Sequence, residues 1–118
     1  MVLELLLEMD WRHFESSTTI GKTGSESGII LEDYENRNGA RITLEKDCNG
    51  IPFAITLGIY GFMFHTHFEG DLDKAREYIA RSKQKINKFF DLYSVPVDSQ
   101  NEYWEIKRNE LLQDIADM

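Results

Sequence analysis

The run IPFAITLGIYGFMFHTHF, residues 51–68, carries neither acid nor base and holds four of the chain's seven phenylalanines. It is too long for one ordinary strand of roughly five or six residues. Gly58 and Gly61 bracket Ile59-Tyr60, which predicts a reversal between two strands, 52–57 and 61–68. In the second, Phe62, Phe64, Thr66 and Phe68 share one face, and Met63, His65 and His67 share the other. Both faces are partly apolar, so helices are expected on one and a different cover over part of the other.

Upstream, Ile29 to Tyr34 is rich in strand formers, and Ala40 to Glu45 alternates with Ala40, Ile42 and Leu44 inward and Arg41, Thr43 and Glu45 outward. Asn38-Gly39 and Asn49-Gly50 each favour a tight hairpin, because both residue types tolerate positive φ. Strands at 29–35 and 40–47 therefore join the later two in an antiparallel meander. Downstream, Asp71 caps a helix over 72–92 whose buried stripe is Leu72, Ala75, Ile79, Ile86, Phe89, Phe90 and Tyr93. Val95-Pro96 ends it. Ser99-Gln100-Asn101-Glu102 has the form of a capping box opening a last helix over 100–117, with Trp104, Leu111, Leu112, Ile115 and Met118 buried.

Residues 2–15 fit two periods, an alternating one through Leu3, Leu5, Leu7, Met9 and Trp11 and a helical one. Good helix formers and the Glu4, Glu8, Arg12 spacing favour a helix. Residues 16–28, SSTTIGKTGSESG, read as a flexible polar connector. Gly21-Lys22-Thr23 lacks the glycine five positions earlier that a phosphate loop needs; Ser16 stands there. The expected fold is thus a single α+β domain over 1–118: a four-stranded antiparallel meander, two C-terminal helices on one face, and an N-terminal helix.

The net charge of −8 excludes little about fold but much about partners. Residues 1–50 carry ten acids and five bases, and residues 98–118 six acids and two bases. Such a surface repels phosphate backbones, so nucleic acid is not an expected partner, whereas a basic protein is. The six bases within 71–97 are interleaved with four acids and read as a solvated helix face. No membrane span and no basic-start signal peptide is seen, and a single cysteine, Cys48, suits the cytoplasm.

Chemistry has few footholds. His65 and His67 project from one strand face about 7 Å apart at Cα, with Glu69 continuing that face, a geometry open to zinc or iron. The competing reading is that these rings cover apolar sheet and bond neighbouring carboxylates, and it is preferred; no metal, cofactor or catalytic residue is expected. Cys48 beside Asp47 is a poor nucleophile, because the negative charge disfavours the thiolate. Aromatics beside acids suit an interface. The candidate partner-binding residues are Glu32, Asp33, Tyr34 and Glu35, next to the first hairpin turn.

The blocks Gly39-Ala40-Arg41-Ile42-Thr43-Leu44-Glu45, Pro52-Phe53-Ala54-Ile55-Thr56 and Gly58-Ile59-Tyr60-Gly61 resemble a group of small uncharacterised bacterial proteins, over residues 28–68. In size, acidity and α+β layout the chain is also similar to immunity proteins that neutralise toxins of neighbouring bacteria. The resemblance implies a cytoplasmic, non-enzymatic protein whose acidic surface blocks a partner such as a basic nuclease toxin. The alternatives are a small metal-dependent enzyme using His65 and His67, and a homo-oligomeric scaffold that buries an aromatic face against its own copy.

Overall fold

The computed structural model describes residues 10–93 and 101–118. Five strands form one antiparallel sheet in chain order: β1 (Trp11–His13), β2 (Ile29–Asn36), β3 (Ala40–Cys48), β4 (Ile51–Ile59) and β5 (Met63–Glu69). Two helices follow, α1 (Leu72–Tyr93) and α2 (Glu102–Ala116). Each turn follows from its residues. Asn49 and Gly50 both take positive φ, 52° and 90°, as a two-residue hairpin requires. At the first hairpin only Gly39 does, φ 111°, because Arg37 joins Asn38 and Gly39 in a three-residue loop. At the third, Gly61 takes φ 84° and the Phe62 N–H donates to the Ile59 carbonyl, while Gly58 stays within β4.

One face of the sheet carries Ala40, Ile42, Leu44, Ile55, Leu57 and Ile59, all fully buried. Ala75, Tyr78, Ile79, Ile86 and Phe89 of α1 and Ile115 of α2 close over them as one core. Burying each large side chain contributes roughly 1.5–3 kcal/mol, so this layer carries most of the stability. Tyr78 and Ser82 lie in the helix stripe beside the expected residues, the Ser82 hydroxyl donating to the Tyr78 carbonyl at 2.7 Å. Asp71 caps α1 as expected, accepting from the Lys74 N–H at 3.0 Å.

Two expectations change. The sheet has five strands, because part of the segment predicted as a helix over 2–15 is β1; residues 2–9 lie outside the described residues. A strand forms there because of its partners: Trp11 is buried and donates its indole N–H to Asn87 of α1, and Arg12 sits directly across from Glu35 and bonds it at 2.6 Å. Side chains that find partners across a sheet outweigh helix propensity of a few tenths of a kcal/mol per residue. The N-cap of α2 is Asn101, whose carbonyl accepts from the Trp104 N–H at 3.0 Å, a contact worth about 1 kcal/mol. Ser99, the expected cap, lies outside the described residues.

Candidate functional site

The register fixes which side chains share the face turned away from the helices. Asp33 pairs with Thr43, Thr43 with Thr56 and Thr56 with Thr66; Glu35, Arg41, Gly58 and Phe64 align in the next row. This open face is half covered. Residues 14–28, most of which (16–28) the sequence suggests are a flexible connector, fold back across β2 and β3 and are pinned there by two carboxylates.

Asp33 is fully buried and accepts four hydrogen bonds: Arg41 Nε at 2.9 Å and Nη2 at 2.6 Å, Thr43 Oγ1 at 3.0 Å and Thr19 Oγ1 at 2.8 Å. The Thr19 bond ties the covering segment to the sheet. Phe14 lies over the Arg41 guanidinium, 3.8 Å from its ring centre, a cation–π contact that fixes the other face of that group. The turn that delivers Phe14 is strained, with Glu15, Ser16 and Ser17 at φ 46°, 55° and 67°.

Glu45 is the second pin. Its buried carboxylate accepts the backbone N–H groups of Glu26 and Gly28, each at 3.1 Å. The approach is close: a Cβ on Gly24 would lie 2.3 Å from Glu45 Cδ, and one on Gly28 2.5 Å from Cys48 Sγ. Only glycine fits at either position. Glu26 reaches on to β5, where Thr66 Oγ1 donates to it at 3.2 Å. Burial pushes the Cys48 thiol up, with Glu45, Glu26 and Asp47 adding to it, so the thiolate is suppressed for a stronger reason than the neighbour alone.

Between this cover and β5 runs a groove of about 300 Å³. Arg41, Thr43, Thr56 and Gly58 form its floor, Ser25 one rim, and Tyr60 and Phe64 the other. Gly58 lets the Phe64 ring lie across the strand, where a Cβ would meet it at 2.7 Å and push it aside. Phe64 is 76 % exposed, Tyr60 and Phe68 each 47 %. The groove thus joins a polar floor, fixed by internal bonds, to an aromatic wall open to solvent.

The four partner-binding candidates divide between faces. Asp33 is inside the pin just described, and Glu35 pairs with Arg12. Glu32 and Tyr34 point to the helix side, where Tyr34 Oη donates to Glu32 Oε1 at 2.6 Å and Arg76 Nε donates to Glu32 Oε2 at 2.9 Å. Lys83 sits 3.7 Å from the centre of the Tyr34 ring. Burial, then the bond to Glu32, pushes the Tyr34 phenol far up. These acids are engaged within the fold and do not make one patch.

His65, His67 and Glu69 do share a face, the helix side. His67 Nε2 lies 3.0 Å from Glu69 Oε1, and its ring stacks on Tyr78 with centroids 4.0 Å apart and planes 5° from parallel. For His67 that is the contact pattern of a ring packed on the core beside a carboxylate. Among the described residues no group of three His, Cys, Asp or Glu side chains has the geometry to hold a metal ion.

Tyr78 itself is 1 % exposed, and among the described residues its hydroxyl has no hydrogen-bond partner. Burial accordingly pushes its phenol up. A buried unpaired hydroxyl costs roughly 1–3 kcal/mol, so Tyr78→Phe should leave stability unchanged or raise it by about 1 kcal/mol. A loss above about 1 kcal/mol in urea unfolding would mean that the hydroxyl is bonded.

No family model, curated protein or solved structure matches the chain. The groove and its cover therefore rest on their own geometry. Sequence reading expected a cover over part of this face but did not assign it to residues 14–28, and it missed the groove. The signals were Gly24 and Gly28 flanking a Ser-Glu-Ser turn, and a Glu45 pointing to the face away from the helices.

Proposed function

We propose that this chain is a non-enzymatic, cytoplasmic protein-binding protein of the immunity type, holding its partner on the open face of the sheet. The observation that carries this reading is the exposed aromatic wall, Tyr60 and Phe64, beside a groove whose floor is already locked by internal hydrogen bonds. Exposed aromatics on a rigid base bind at small entropic cost, because few rotamers are lost. The net charge of −8 favours a basic partner such as a nuclease toxin and accelerates encounter. Among the described residues no helix is long and apolar enough to cross a membrane.

The test is a photo-crosslinking side chain placed at Tyr60, with the same probe at the exposed Gln84 of α1 as control, in the cell that makes the protein. A single basic protein should be captured at position 60 and not at 84. With that partner purified, raising salt from about 0.05 to 0.5 M should slow association at least tenfold, since screening shortens the field to a few ångströms. Dissociation should change much less. Equal capture at both positions, or association indifferent to salt, would overturn the reading.

A further inference from the structure

We propose that the outer edge of β5 pairs antiparallel with β5 of a second copy, about a two-fold axis at Thr66. β5 ends the sheet, and among the described residues no strand pairs with its outer side. Natural edge strands are commonly shielded by lysine, proline, a bulge or brevity. β1 at the other edge is three residues long and carries exposed Arg12. β5 has none of these devices. It is seven residues long, MFHTHFE, without lysine, arginine or proline, and its register with β4 is unbroken from Met63 to Glu69.

The order of residues along this edge names the occupant. Phe64-His65-Thr66-His67-Phe68 reads the same in both directions. A two-fold contact requires that if residue i meets residue j, then j meets i. Centred on Thr66, Phe64 of each copy faces Phe68 of the other, His65 faces His67, and Thr66 faces itself. The match respects the two faces: phenylalanines meet on the open face and histidines on the helix side. An unrelated strand would not need this symmetry; a second copy does.

The energetics agree. Phe64 and Phe68, 76 % and 47 % exposed, gain aromatic cross-strand partners and lose water contact. α2 comes nearest to β5 at its Met63 end, where a groove of about 400 Å³ lies between Asn109, Leu112 and Gln113 on one side and Met63, Phe64 and His65 on the other. Pairing would join two five-stranded sheets into one, with both aromatic-walled grooves on the same side. Like charge on the copies opposes assembly, so salt should strengthen the dimer while weakening a basic partner. The two readings can therefore fail separately.

Sedimentation of the untagged chain over about micromolar to millimolar concentration should show its mass rising from 13.8 kDa to twice that value. Thr66→Cys should give a covalent dimer under mild oxidation, because residues directly opposite across a sheet lie about 4.5–5.5 Å apart at Cα, within disulfide range. Phe64→Cys alone should not crosslink, its two copies being about 14 Å apart along the strands. A mixture of Phe64→Cys and Phe68→Cys chains should. The native Cys48 is buried and cannot compete. Phe68→Lys, at an exposed position, should raise the dissociation constant at least tenfold with melting unchanged. A wild-type mass of 13.8 kDa at every concentration would overturn the proposal. So would a dimer in which Thr66→Cys crosslinks no better than Phe64→Cys, or one that salt weakens.

Discussion

Phe89→Ala should lower the free energy of unfolding by about 3–5 kcal/mol, the cost of deleting a large ring from a packed core. Phe89 is fully buried and meets Phe62 and Phe90 edge-to-face, with centroids 5.0 and 5.5 Å apart. Removing it leaves a cavity between α1 and the third hairpin, where neither a rigid helix nor a short turn can collapse to fill it. Phe89→Leu, which keeps most of the volume, should cost much less. A urea midpoint unchanged by Phe89→Ala would mean that α1 packs on the sheet through a different stripe.

Asp33→Ala should be nearly as severe, at about 3 kcal/mol. The substitution strands Arg41 and removes the acceptor shared by Thr19 and Thr43. The guanidinium, one-third exposed, can partly rehydrate, which places the loss at the lower end of the range for a broken buried pair. Asp33→Asn should cost less, since its amide oxygen keeps one threonine donor and its NH2 can donate to the other hydroxyl. Trypsin distinguishes this site from the core: the lost Thr19 bond should speed cleavage at Lys22 well before global unfolding. Unchanged cleavage alongside a large stability loss would show that the cover is held without the Thr19 bond, by Glu45 and the backbone bonds of Gly21 and Lys22 to Ile30. Reversing the charge at Asp33 is consequently a test of folding, not of partner binding.

The strands and helices were legible to within a few residues because their signals are local. Alternation in 40–47 and glycine at positions that need positive φ specify the hairpins without reference to distant chain. The helix stripe through Ala75, Ile79, Ile86 and Phe89 does the same for α1. β1 was not legible because three residues carry no period of their own; Trp11 and Arg12 become strand by meeting Asn87 and Glu35, far along the chain. The site was hidden for a related reason. A carboxylate saturated by residues 8, 10 and 14 positions away is spelled like a solvated one. So Glu32, Asp33, Tyr34 and Glu35 looked like one surface, and alternation alone left open which of the two partly apolar faces of β5 the helices cover.

Glu45 grips its covering turn through main-chain N–H groups, and that choice sets what the turn can become. Backbone amides are the same whatever side chains they carry, so Ser25, on the rim of the groove, and Glu26 beside it can be rewritten without disturbing the Glu45 anchor, at the loss of the Thr66 bond to Glu26 alone. Only Gly24 and Gly28 are held to one identity, by the closeness of Glu45 and Cys48. The result is a variable cassette between two invariant hinge points. A selection that randomises positions 25 and 26 while keeping both glycines should return folded proteins at high frequency, with an altered groove rim and an unaltered scaffold.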